Sequence, residues 1–162
     1  MHLSPRAANV GLKDIDLNSW EDSAHWVAAT KWCAAFFDSL GICRLPNREF
    51  PDILVGLVKA AAGWDYTFEE ARTMGFRTIA LLRANNIRHG HTPALDRPSP
   101  RYGSIPVDGP HKGRDISPYW NGMLDIYYRD LGWDTGTGKP AADTLKRLGL
   151  DFVVQELWGA KS

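Results

Sequence analysis

Asp38-Ser39-Leu40-Gly41-Ile42-Cys43 closes a long aromatic-rich run and sets a carboxylate, a glycine and a thiol within six residues. Gly41 stands where the left-handed residue past a helix C-terminus is wanted, so the run before it reads as a helix and Cys43 emerges just beyond the turn. A helix C-terminus carries partial negative charge, which opposes Asp38 in the last turn by about 0.3–1 kcal/mol unless a donor-rich group sits against it. The turn also has an ordinary reading: Gly41 as a C′ cap, Ile42 as its apolar contact, Asp38 paired with Arg44 or Arg48, and Cys43 as a small core side chain.

Working outward, the helix that ends here starts at Ser19-Trp20-Glu21-Asp22, which resembles a capping box with Asp in place of the usual Glu. Its apolar or small positions are Trp20, Ala24, Val27, Ala28, Ala35 and Phe36. Residues 1–18 before it show no period and read as an irregular arm, leaving 19–162 as the helical domain. Beyond the turn, Pro46 and Pro51 bracket a connection, after which Ile53, Leu54, Leu57, Val58 and Ala61 repeat at helical spacing until Gly63. Thr67-Phe68-Glu69-Glu70 is a full capping box, and Phe68, Ala71, Gly75, Ile79 and Leu82 form one stripe of a third helix running toward residue 87. From His89 to Asp115 five prolines and four glycines mark a long ordered loop, a length that suggests function or an interface. Ser117-Pro118 restarts the helix with Trp120, Met123, Leu124, Tyr127 and Leu131 on its buried face. Pro140 begins another helix that Gly149 ends, and Asp151 to Leu157 offers a last one. No alternating strand appears, so the fold class is all-α, an irregular bundle of five to six helices.

The composition, 44% apolar and 23% charged over 162 residues, is that of one globular domain and not of a disordered chain. No run approaches the ~20 apolar residues of a membrane span. The first residues lack the apolar core of a signal peptide, so the expected location is the cytoplasm, where two cysteines need not pair. With 19 basic and 19 acidic residues, no nucleic-acid or membrane partner is implied. Seven Trp, five Tyr and six Phe exceed what a domain of this size needs, and some are expected to face a partner, with self-association as one outcome.

Gly136-Thr137-Gly138-Lys139-Pro140 is not a phosphate loop, because Trp133 occupies the first glycine position and Pro140 the hydroxyl position; it reads as a turn before a helix. His89, His91 and His111 share a loop without a cysteine or carboxylate at zinc-site spacing, and read as solvated or hydrogen-bonded. Arg72, Arg77, Arg83 and Arg88 mark two faces of the third helix and either hold phosphate or an acidic partner or, more ordinarily, pair with carboxylates or cover apolar surface with their stems.

Four segments together resemble the C-terminal portion of the tungsten-containing aldehyde ferredoxin oxidoreductase family. They are Asp38 to Cys43, Ala62-Gly63-Trp64-Asp65-Tyr66-Thr67-Phe68-Glu69-Glu70, Leu82-Arg83-Ala84-Asn85-Asn86-Ile87-Arg88-His89-Gly90, and Tyr127-Tyr128-Arg129-Asp130-Leu131-Gly132-Trp133-Asp134 leading to Leu145-Lys146-Arg147-Leu148-Gly149-Leu150. In that family an Asp-x-x-Gly-Leu-Cys turn contacts the pterin and gives one cysteine to a 4Fe-4S cluster. The resemblance therefore implies pterin contact by Asp38, Gly41 and Ile42 and cluster ligation by Cys43, with Ile42 standing where the family tends to have Leu. The residues Phe76-Arg77 and the loop from Asp96 to Pro106 depart further from the family pattern.

The resemblance implies a C-terminal helical part of an enzyme that takes aldehydes to carboxylates at a tungstopterin (molybdopterin-type) centre and passes electrons through the cluster to ferredoxin. Family members are several times longer, and their other cluster cysteines and catalytic acid-base residues lie in segments absent here. No catalytic residue is assigned to this chain, and alone it is expected to be inactive and to bind neither cofactor, since one cysteine cannot hold four irons. Its expected partners are the missing N-terminal domains or a partner subunit. Two other readings stand beside this one: the tungsten subunit of a benzoyl-coenzyme A reductase-like enzyme, and a non-catalytic stand-alone helical interaction module.

Overall fold

A computed structural model describes residues 15–43 and 51–159. Among these residues the chain forms six α-helices: α1 (Trp20–Ser39), α2 (Pro51–Ala62), α3 (Phe68–Arg88), α4 (Trp120–Asp130), α5 (Ala142–Arg147) and α6 (Asp151–Trp158). Short 3-10 turns lie at Pro93–Leu95 and Ser117–Tyr119. The described residues hold no strand, only an isolated bridge between Trp133 and Pro140, so the all-α expectation holds. No described helix is long and apolar enough to cross a membrane. Most of the expected arm, residues 1–14, lies outside the described residues, as do 160–162 of the helical domain.

The helix starts follow from their caps. Thr67 Oγ1 accepts from the Glu70 amide while the Glu70 carboxylate accepts from the Thr67 amide, completing the capping box of α3. At α1 only half the box forms. Ser19 Oγ accepts from the Asp22 amide, whereas the Asp22 carboxylate takes the Asp16 amide at 2.8 Å, because the shorter Asp side chain turns to the preceding segment. Ser117 does not cap α4 with its hydroxyl. Its own amide is held by the Asp115 carboxylate, and a 3-10 turn precedes the α-helix. Pro140 is spent in the bridge to Trp133, and α5 begins only at Ala142.

α1 packs against α3 and α4, and the α1–α3 crossing is set by Gly75. A Cβ there would overlap the Trp32 carbonyl oxygen and lie 2.9 Å from the Trp32 carbonyl carbon and Cβ, so the two backbones meet where α3 has no side chain. Around this crossing Trp32, Phe36 and Phe37 are fully buried, with Phe68 edge-on to Trp32 at 5.4 Å. Each such burial contributes about 1.5–3 kcal/mol. This cluster extends to Leu54 and Val55 of α2 and to Tyr128, Leu131 and Trp133 at the end of α4. A second cluster joins Ala80 and Ala84 of α3 to Leu145, Leu150 and Val153 of α5 and α6.

The expected stripes are displaced at several points. Val27, Ile53, Leu57 and Leu82 are about half exposed, while Trp32, Cys33, Phe37 and Val55 are buried in their place. On α4 the fully buried residue is Tyr128 rather than its neighbour Tyr127.

Candidate functional site

The end of α1 forms a complete Schellman motif. The Ile42 amide donates to the Phe37 carbonyl at 3.2 Å and the Gly41 amide to the Asp38 carbonyl at 3.1 Å, with Gly41 at φ +67°. Ile42 is half-buried against the cluster that contains Phe37, which supplies the apolar contact of the motif. This wrap leaves Asp38 and Cys43 exposed on either side of the glycine. No described residue bonds or pairs with the Asp38 carboxylate, so its oxygens remain acceptors at a helix end that already carries negative partial charge. Arg44 and Arg48, the partners that an ordinary surface pair would use, lie outside the described residues.

A single exposed thiol does not make a metal centre. Among the described residues no group of three or more His, Cys, Asp or Glu side chains could hold a metal ion. Cys33, ten positions earlier on α1, is buried in the core. The donor set at this turn thus fits one edge of a larger site: one sulfur and one carboxylate, both facing outward.

A second constellation was not assigned from the sequence. Arg83 is buried on α3, and its guanidinium is bound on every side. Nη1 and Nη2 donate to the two Asp96 carboxylate oxygens at 3.0 and 2.7 Å, Nε donates to the Gly138 carbonyl at 2.8 Å, and the plane lies 5.4 and 5.1 Å from the Tyr128 and Trp133 ring centroids. Asp96 also accepts from Tyr128 Oη and contacts His91 Nε2 at 2.9 Å, and its backbone carbonyl accepts from Trp120 Nε1 at 2.7 Å. Burial pushes the Asp96 carboxyl up, but its hydrogen bonds to Arg83, Tyr128 and His91 outweigh this and hold it below the ordinary 3.8. Burial, helped by the Asp96 charge, pushes the Tyr128 phenol up to about 12, so it is a neutral donor. This cluster clasps α3, the long loop, α4 and the 134–140 turn together, and its Asp96, Trp120 and Tyr128 line an open cavity of about 920 Å³ between loop and α4. The signal that could have found it is positional: Arg83 falls in register with Ile79, Ala80 and Ala84 on the buried side of α3, and a guanidinium there requires a carboxylate.

The other sequence candidates take their ordinary roles. Arg72 pairs with Glu69 at 3.5 Å and Arg88 with Glu156 at 3.9 Å, while Arg77 donates to the Leu148 carbonyl. His89 bonds the Asn85 carbonyl. In the 134–140 turn, Asp134 accepts from the Thr137 amide and hydroxyl, which orders it around Gly138.

Residues 2–150 match the family described as aldehyde ferredoxin oxidoreductase, domains 2 & 3. The chain is 34% identical over 119 residues to the tungsten-containing aldehyde ferredoxin oxidoreductase of Pyrococcus furiosus, covering 72% of this chain and 19% of that protein. It is 30% identical over 120 residues to the enzyme of the same name from Thermococcus kodakarensis, again covering 72% and 19%. It thus spans about a fifth of the length of the curated relatives it matches. With nearly its whole length matched, from the arm through the glycine that closes α5, the chain belongs to the aldehyde ferredoxin oxidoreductase family, in the part that forms domains 2 and 3.

Proposed function

We propose that this chain is the C-terminal helical part of a tungstopterin oxidoreductase that converts aldehydes to carboxylates, and that its own task is to close the cofactor site with the turn at the end of α1. The observation that carries this is the pairing of an exposed carboxylate and an exposed thiol across a Schellman glycine, on a segment that resembles the family's Asp-x-x-Gly-Leu-Cys turn with Ile42 in place of Leu. The bound centre would supply the two-electron step, in which an aldehyde takes one oxygen from water and releases two electrons and two protons, the electrons leaving by way of a 4Fe-4S cluster to ferredoxin.

The chain's own residues act by binding and orientation. Asp38, an acceptor-only group, takes adjacent N–H donors of a pterin edge, and the gain of such charge-assisted bonds offsets its unfavourable place at a helix C-terminus. Gly41 fixes the wrap that turns Cys43 outward, and Ile42 anchors it through the core. Cys43 as thiolate would hold one iron of the cluster, and the remaining ligands would come from other segments or a partner subunit. The exposed apolar residues Ile53 and Leu57 of α2, with Trp64 beyond it, suit a face covered by those segments.

The test is made in the complete enzyme that contains this sequence. Asp38→Asn keeps the shape but turns a donor toward the pterin's donors, so tungsten and pterin content should fall while the melting temperature stays level or rises slightly. Cys43→Ala should remove the cluster's electron paramagnetic resonance signal and electron transfer to ferredoxin. A lower melting temperature with unchanged tungsten, pterin and iron content would make the turn an ordinary helix cap and end this reading.

A further inference from the structure

We propose that Tyr128 is a redox-active tyrosine: it yields one electron, by way of Trp133, to an oxygen-derived radical of the peroxyl class, while its phenolic proton passes to the Asp96 carboxylate. The proposal does not depend on the cofactor reading above. In this step the O–H bond of Tyr128 breaks, a new O–H bond forms at Asp96 Oδ2, and the phenol is left as a neutral radical. The peroxyl radical takes the electron together with a proton from water and becomes a hydroperoxide.

An acceptor for the proton stands in place. Tyr128 Oη donates to Asp96 Oδ2, and the same phenol oxygen accepts from Arg83 Nη2 at 3.2 Å, a bond that stays with the oxygen after its own proton has left. Asp96 is ionised, because its hydrogen bonds hold it below the ordinary 3.8 in spite of burial. A phenol that has lost an electron is a far stronger acid than any carboxylic acid, so even so weakly basic a carboxylate takes its proton.

A route leads in from solvent. Tyr128 is only 2% exposed, but its ring centroid lies 6.0 Å from that of Trp133, and Trp133 lines a cavity of about 420 Å³ between α3 and α5. Rings this close pass an electron without movement of the chain. Tyr127 competes for the same vacancy, with its centroid 5.8 Å from Trp133 and 6.1 Å from Tyr128. Among the described residues, however, neither Tyr127 Oη nor Trp133 Nε1 donates to an acceptor. Arg83 settles the choice. Its guanidinium lies 5.1 Å from the Trp133 centroid and 5.4 Å from that of Tyr128, where it opposes positive charge on either ring. An oxidised ring persists there only if a proton leaves with the electron, and Tyr128 is the ring with a carboxylate to receive it.

The full 162-residue chain tests this, with Tyr102 replaced by Phe to remove the 81% exposed phenol that an oxidant in solution meets first. Photogenerated tris(bipyridine)ruthenium(III) serves as the one-electron oxidant, and peroxyl radicals from a water-soluble azo initiator serve in a second arm. Both should give a phenoxyl signal in electron paramagnetic resonance that outlasts that of free tyrosine about tenfold or more, since burial keeps radicals from pairing. In heavy water the signal should show coupling to an exchanged deuteron, the one carried to Asp96. Tyr128→Phe should abolish the long-lived signal and Tyr127→Phe should leave it. Asp96→Asn removes the acceptor and should lower the yield about tenfold, and the deuteron coupling in the parent chain decides the point if that variant does not fold. A long-lived signal that survives Tyr128→Phe, one lost in Tyr127→Phe instead, a phenoxyl without the exchangeable coupling, or no signal with peroxyl radicals overturns the proposal.

Discussion

Replacing Arg83 by Met isolates the clasp that holds the long loop to the bundle. The methionine stem fills the space between Tyr128 and Trp133, so little packing is lost. What is lost is the charge that balances Asp96, whose side chain is only 20% exposed, and the donor to the buried Gly138 carbonyl. Breaking a buried pair by removing one partner costs about 3–5 kcal/mol. Asp96 retains Tyr128 and His91, which places the pair at the low end, and the orphaned carbonyl adds about 1 kcal/mol. The sum is about 4 kcal/mol, a large share of the ~5–15 kcal/mol that stabilises a domain. Urea unfolding of the wild type, Arg83→Met, Asp96→Asn and the double variant measures it, and the double should be less destabilised than the two singles together by about 2 kcal/mol. Acid sharpens the test. The folded Asp96 carboxyl lies below its unfolded value, so its contribution is fully present above the ordinary 3.8 and is lost as pH falls through the lower folded value. That acid-dependent share should be largely missing in Arg83→Met. A cost under about 1 kcal/mol, or strict additivity in the cycle, would show that solvent screens the pair and that the clasp does not hold the loop.

Two further substitutions address how the bundle is set. Gly75→Ala gains about 1 kcal/mol of helix propensity but drives a Cβ into the Trp32 backbone, and overpacking of ~1–3 kcal/mol or more should leave the protein about 2 kcal/mol less stable by calorimetry; a raised melting temperature would mean that α1 and α3 part easily. Thr67→Ala removes the hydroxyl that accepts from the Glu70 amide, leaving the bond from the residue-67 backbone amide to the Glu70 carboxylate, and should cost about 1 kcal/mol, restored by Thr67→Ser; equal stability of all three would make the cap incidental.

Local signals were legible. The capping box at Thr67, the glycine that ends α1 and the turn that exposes Cys43 depend on neighbours in sequence, and each stands where spacing puts it. Long-range preferences were not. Val27 and Leu82 fit an apolar stripe yet are about half exposed, while Trp32 and Arg83 are buried, and α1 meets α3 at the close approach of Gly75 to the Trp32 backbone. Arg83 was visible as one of four arginines, but its carboxylate lies beyond the helix end in an irregular loop, and no period links the two. The geometry of the turn from Asp38 to Cys43 was readable because it is contiguous. Among the described residues no three His, Cys, Asp or Glu side chains gather around it, so no spacing within them extends that turn into a larger site.

The two apolar clusters share a single helix. Ile79 belongs to the first and Ala80 to the second, so among the described residues α3 is the helix common to both clusters and the one on which the α5–α6 cluster is built. If α5 and α6 lift away together, the second cluster is exposed while the Trp32 crossing stays closed. That opening is a sub-global event, with a free energy below that of full unfolding. Amide protons of α5 and α6 should therefore exchange with solvent faster than those of α1 and the first half of α3. Arg83 sits at the seam, gripping Gly138 on the strap that leads into α5. The same grip that anchors the long loop thus governs how often the C-terminal pair of helices comes off its mount.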